Sequence, residues 1–127
     1  MSTPCNRIIG ALISVLIFGI SCKKTRTELV TLHTWKVSNA FTNGIKDSID
    51  YKNYRLTFED NGEFIEIDAD SSLVKGDWSI NRDRSIITLS QSNGSLTDLN
   101  IVTISEDEFH YNIVSSIYIE RVLVPAD

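Results

Sequence analysis

The sequence predicts an all-β fold: a small antiparallel up-and-down barrel of roughly eight short strands, set behind an N-terminal signal peptide. Three observations carry this expectation. From Leu32 onward, apolar and polar residues alternate with period two. Asn-Gly pairs at Asn61-Gly62 and Asn93-Gly94 break the alternation where hairpin turns belong. Past the leader, no run holds a convincing helical period.

The leader comes first. Met1 to Arg7 is short and polar with one positive charge, and Ile8 to Ile20 is an apolar run of 13 residues. A membrane-spanning helix needs about 20 residues, so the run suits the apolar core of a signal peptide. Gly19-Ile20-Ser21-Cys22 follows and resembles the lipobox of bacterial lipoproteins. That resemblance implies cleavage before Cys22, a diacylglycerol thioether on its sulfur, and fatty acylation, palmitate being one such chain, of the new N-terminus. Each buried methylene contributes about 0.8 kcal/mol, so two or three chains on one residue would hold a protein at a membrane durably. An uncleaved short anchor is the alternative. Lys23, Lys24 and Arg26 follow the run where only Arg7 precedes it, and that asymmetry bears on orientation if the segment stays in the bilayer.

The expected organisation is residues 1–21 as signal peptide, 22–31 as a lipidated tether and 32–127 as the barrel domain. Lys23 to Thr31 is polar and basic without an apolar period, which reads as a tether beside anionic headgroups.

In the barrel, His33 to Phe41 is the first strand and carries Trp35. A two-residue type I′ turn at Asn61-Gly62 would pair Phe58 with Ile65, Leu56 with Ile67 and Tyr54 with Ala69 on the inner face. It would set Arg55 against Asp68 and Thr57 against Glu66 outside, and leave Phe64 exposed as a contact surface. Val74, Gly76, Trp78 and Ile80 share one face of the next strand. Ser85 to Ser90, Leu96 to Ser105, Glu108 to Val114 and Ile117 to Val124 complete the count, and Phe109, Tyr111 and Ile113 share a face. A meander of this length closes on itself and so removes its exposed edges.

Leu32-His33-Thr34-Trp35 is similar to the G-x-W region of lipocalins, with His33 in the glycine's place, and Arg121 falls where lipocalins pack an arginine over that tryptophan. Together with Gly76-Asp77-Trp78 and the Asn61-Gly62 hairpin, the residues from Leu32 to Pro125 resemble the small lipocalin-like lipoproteins common in Bacteroidetes. The resemblance implies that Trp35 and Arg121 close one barrel end. It also makes Tyr54, Phe58, Trp78, Phe109 and Tyr111 the candidate interior ligand contacts. A barrel of about eight strands is either filled by side chains or holds one small ligand, and the many large inward residues favour a filled one.

Chemistry is sparse. With Arg7 set aside, 11 basic residues face 17 acidic ones, a mature charge of −6. Phosphate contacts need clustered cations, so nucleic acid is not an expected partner. Cys5 and Cys22 are the only cysteines, so the barrel has no disulfide of its own. His33 and His110 lie on different strands without a metal-site spacing. Asp68, Asp70 and Ser71 lack the glycine of a calcium loop. No nucleophile-elbow motif occurs, so no enzyme, cofactor or metal is expected. Asp47-Ser48-Ile49 resembles a Bacteroidetes O-glycosylation tripeptide.

The functional expectation is a membrane-anchored lipoprotein of the cell envelope, on the periplasmic side or the cell surface, with a non-catalytic binding or accessory barrel. Two alternatives stand beside it: a carrier of a small apolar ligand inside the barrel, and an inhibitor of another envelope protein acting through the Thr42–Asp50 loop.

Overall fold

A computed structural model describes residues 23–127. The expected signal peptide, residues 1–21, and the expected lipidation site Cys22 lie outside the described residues. A short helix, α1 (Arg26–Val30), comes first, then nine strands: β1 (Thr34–Thr42), β2 (Ile45–Lys46), β3 (Arg55–Phe58), β4 (Glu63–Ile67), β5 (Leu73–Ile80), β6 (Ile86–Gln91), β7 (Leu96–Ile104), β8 (Phe109–Val114) and β9 (Tyr118–Pro125). From β3 to β9 each strand pairs antiparallel with the next, and β1 pairs with both β3 and β9. Along β9, Trp35 stands opposite Pro125 and Thr42 opposite Ile119. The result is the expected closed eight-strand barrel, with β2 added as a short flap on β1.

The segment expected as a tether is not all tether. Thr25 caps α1, its hydroxyl accepting from the Glu28 amide at 3.1 Å while Glu28 Oε1 accepts from the Thr25 amide at 2.9 Å. This is a capping box, which satisfies two otherwise orphaned donors and makes so short a helix worthwhile. Its last residue, Val30, is fully buried in the barrel core.

The β3–β4 register differs from the expected one by one residue. Phe58 pairs with Phe64, Leu56 with Glu66 and Arg55 with Ile67. The loop is three residues long, not two. The Gly62 amide donates to the Glu59 carbonyl at 3.1 Å, the Glu59 amide donates to Glu63 at 2.8 Å, and Gly62 has φ +96°. That is a type I turn closed by a left-handed glycine. Trp78 holds it there: its amide donates to Gly62 O at 2.8 Å and its indole N–H to Glu59 O at 2.7 Å. A slip of one residue turns every side chain to the other face. Phe64 is therefore 1% exposed rather than an outer contact, Glu66 points inward, and the expected pairings of Arg55 with Asp68 and Thr57 with Glu66 do not form.

The type I′ hairpin lies elsewhere. Asn43 and Gly44, joining β1 to β2, both have positive φ, at 51° and 81°, between the pair Thr42–Ile45.

Apart from its bulges the barrel follows its alternation. Leu56, Phe58, Phe64, Ile87, Leu99, Phe109, Tyr111 and Leu123 all face inward and are at most 2% exposed. Each contributes on the order of 1.5–3 kcal/mol of burial. Bulges at Val37/Asn39 and Ile101/Thr103 shift the phase, so that Ala40 and Ile104 continue the inner face. Gly76 on β5 lies opposite Phe64, whose ring fills the place a side chain would take. Among the described residues, no helix is long and apolar enough to cross a membrane.

Candidate functional site

The barrel has two unlike poles. At the first, α1 acts as a plug. Trp35 is fully buried and its indole N–H donates to the Val30 carbonyl at 3.1 Å. His33 meets the Trp35 ring edge-on at 5.4 Å, and Phe109 lies against it at 5.8 Å. Phe58, Trp78, Phe109 and Tyr111 continue as a chain of ring contacts with centroids 5.1 to 6.1 Å apart. The five residues expected as interior ligand contacts are thus all inward, and all but Tyr54 are joined in this chain; Trp78 alone keeps partial exposure.

The second pole is polar. Arg121 on β9 stands opposite Ala40 on β1 and Tyr111 on β8, four positions along β9 from Pro125, Trp35's partner. Four strand residues span about 13 Å. Arg121 therefore does not pack over Trp35, and the end expected to be closed by that pair is closed by Val30 and α1. The guanidinium lies instead over the Tyr54 and Tyr51 rings, at 5.4 and 5.5 Å from their centroids, a cation–π arrangement strengthened by partial burial.

The acids of this pole are engaged by hydroxyls. Tyr54 donates to Glu66 Oε2 at 2.5 Å. Asp47 accepts from Thr42 at 2.6 Å and Tyr51 at 2.7 Å, and these two bonds hold its carboxyl below the usual carboxylate range. Burial pushes the Tyr54 and Tyr111 phenols above theirs, Glu66 adding to the effect at both. Both are neutral donors at physiological pH. Burial opposes the Arg121 charge, but in alkali, where the phenols ionise, the charges of Tyr111 and Tyr54 and the Tyr111 hydrogen bond outweigh it and raise its pKa.

Among the described residues, Arg121 Nε is a buried side-chain donor with no acceptor. Among the described residues, no carboxylate pairs with Arg121. An unpaired buried donor costs about 1–3 kcal/mol, more beside a charge. Alternation could have flagged this residue, since Ile119, Arg121 and Leu123 share the inner face of β9. Tyr51 and Glu66 carried no comparable signal.

Two grooves open among the described residues. One, of about 930 Å³, runs between the α1 segment and the β3–β4 and β5 ends, with Leu32, Phe58, Trp78 and Ile80 as its apolar lining. The other, of about 430 Å³, lies where β1 and β3 separate. The histidines serve locally: His33 bonds Asp127 and the Glu106 carbonyl, and His110 bonds Glu120 at 2.6 Å.

The family model of the lipocalin-like domain matches residues 31–111, from the end of α1 through Tyr111. This chain belongs to the lipocalin-like domain family. No curated protein matches it. The matched span carries Trp35, the ring chain and strands β1 to β7 of the lipocalin-like barrel, with the first residues of β8. Its limit precedes β9, so Arg121 is added by the strand that closes the circle. A lipocalin-like barrel is a binding-type scaffold, and the unpartnered Arg121 Nε lies at its polar pole.

Proposed function

We propose that this protein is a lipid-anchored, non-catalytic accessory protein of the cell envelope, a lipoprotein of the Bacteroidetes type, that binds its ligand or partner through the Tyr51–Arg121 pole. One observation carries the reading: α1 begins four residues after Cys22 and plugs the opposite pole. A lipid on Cys22 would hold the plugged pole toward the bilayer and leave the polar pole facing away. Lys23 and Lys24, between the anchor and α1, suit a surface of anionic headgroups. The packed Phe58, Phe109 and Tyr111 rings leave a bulky apolar ligand no room at the barrel centre, so such a ligand would have to use the groove beside α1 that Phe58 and Trp78 line.

The test is the intact mass of the membrane-extracted protein. The expected species is residues 22–127 plus a diacylglyceryl group and acyl chain, and Cys22→Ala should abolish both the added mass and membrane retention. Retention of Cys22→Ala at the membrane with unchanged processing would overturn the anchor.

A further inference from the structure

The barrel wall parts between β1 and β3. These strands pair only at Thr34–Thr57 and Trp35–Leu56; farther along, β1 runs beside β9 and β2 alone. The segment from Asp47 to Tyr54 lies across the gap. Outside it is the groove of about 430 Å³, a volume suited to a small molecule. Lys36, Lys46, Lys52 and Arg55 line this groove together with Asp47 and Asp50. Such a cluster of cations stands out on a chain of net charge −5. Ala40 and Tyr51 also line the groove. Arg121 lies next to both without lining the groove itself: it is the cross-strand partner of Ala40 and stacks against the Tyr51 ring at 5.5 Å.

Arg121 has what a ligand would need. Its Nε–H is buried without an acceptor among the described residues. The neighbouring acids are occupied: Asp47 takes the hydroxyls of Thr42 and Tyr51, and Glu66 takes that of Tyr54. The Nε–H and one terminal N–H of a guanidinium form a planar fork that matches the two oxygens of a carboxylate. A tyrosine cover is easier to move than a strand, because Tyr51 sits in a connection outside the barrel strands and its hydroxyl is held by side chains, Asp47 at 2.7 Å and Arg121 beside it.

We propose that the split between β1 and β3 is a binding site for a small organic carboxylate, with Arg121 as its charge partner behind Tyr51 and Lys36, Lys46 and Lys52 as its cationic rim. The site gives a ligand class to the binding pole argued above and rests on that reading, but not on the anchor. The lysines raise the local concentration of anions and steer them in. Tyr51 swings aside, leaving Asp47, and the carboxylate supplies the acceptor that Nε lacks.

Arginine-labelled protein tests this by following the Nε–H resonance of Arg121 during titration with sodium acetate, sodium succinate, inorganic phosphate and sodium chloride at constant ionic strength. The resonance is assigned by its loss in Arg121→Lys or, should that variant not fold, by its displacement in Tyr51→Phe. The expected result is a saturable shift with acetate and succinate, none with chloride, and several-fold weaker binding in the Lys46→Gln, Lys52→Gln double variant. Tyr51→Phe, which frees the cover from Asp47, should bind several-fold tighter. A shift with every anion alike, a saturable shift with phosphate alone, or no shift would each overturn the proposal. The anchor is read independently by the mass at Cys22, so failure here leaves that measurement standing.

Discussion

Tyr54 donates its hydroxyl to Glu66 Oε2 at 2.5 Å, joining the residue just ahead of β3 to β4 inside the barrel. A hydrogen bond to a charged acceptor in a partly dry site is among the stronger kinds. It keeps a carboxylate on the inner face from standing unpartnered. Tyr54→Phe should cost about 1–3 kcal/mol, because the carboxylate then loses its donor. Glu66→Gln should cost less, since an amide oxygen still accepts. Urea unfolding of both single variants and the double variant gives the coupling energy. Additive costs would show the two groups to be independent.

Phe64 and Gly76 face each other across β4 and β5, and nothing larger than hydrogen fits at position 76. A Cβ built there would lie 2.0 Å from the Ser90 carbonyl oxygen and 2.9 Å from both Gln91 Cα and Phe64 Cε1. Two of the three obstacles are backbone, so the strand must move. Gly76→Ala should destabilise by about 3 kcal/mol or fail to fold. Pairing it with Phe64→Leu should recover only a small part, which a thermal melt would read.

Much of the barrel was legible because its strands bury one face. Val74, Gly76, Trp78 and Ile80 alternate cleanly, and so do Phe109, Tyr111 and Ile113. β4 was not legible in this way. Phe64, Ile65 and Ile67 put apolar groups on both faces, so periodicity could not choose the register and the choice fell to the turn. The Asn61-Gly62 pair was read as a two-residue turn, whereas Trp78 holds a three-residue loop in which only the glycine needs positive φ. The two-residue turn belongs to Asn43-Gly44, a pair hidden inside what looked like a long loop. α1 was missed: its five residues are too few to show a helical period, and only the structure shows the Thr25–Glu28 capping box. Arg121 was noticed for the wrong neighbour. The resemblance to lipocalins placed it over Trp35, and only the β1–β9 register shows that Trp35 lies farther along.

Three hairpins share one loop geometry. Glu59–Glu63, Gln91–Ser95 and Asp68–Ser72 each close with the same pair of backbone bonds, and the left-handed position is Gly62, Gly94 and Ser71 in turn. Ser71, at φ +73°, is the one that bears a side chain. A non-glycine residue in this region costs about 1–2 kcal/mol. Glycine pays part of that back in unfolded-state entropy. Ser71→Gly should therefore stabilise by about 0.5–1 kcal/mol, and Gly62→Ala should destabilise by about 1 kcal/mol. Equal midpoints in denaturant for Ser71→Gly and the parent would refute the strain at Ser71.

Asp47 links the flap to the tyrosine pole through Thr42 and Tyr51, and its pKa is lowered chiefly by the Thr42 bond and then by Tyr51. A carboxyl with a depressed folded-state pKa contributes stability that is complete above its unfolded value, about 3.9, and is lost as pH falls through the folded one. Asp47→Asn should thus be less stable than the parent at neutral pH, and the difference should close as pH falls below the ordinary carboxylate range. Unfolding midpoints across that range check it; a gap that persists in acid would show that charge is not its cause.

At the alkaline end the tyrosines behave oppositely. Burial raises Tyr54 and Tyr111, and burial with the Asp47 bond raises Tyr51. A phenol whose folded pKa exceeds its unfolded value near 10 keeps its proton in the folded state after the unfolded chain has lost it. Its contribution is complete below pH 10 and is lost as pH rises toward the folded pKa. Difference absorbance near 295 nm should then show fewer tyrosines ionising at about pH 10.5 than the four in the chain, the remainder appearing only with the loss of near-ultraviolet circular dichroism. Tyr111→Phe should remove one of the late-titrating groups without changing the early step. Full ionisation of all four in a still-folded barrel would mean that the pole around Arg121 is open to solvent, and the tyrosine ring would then no longer cover the guanidinium.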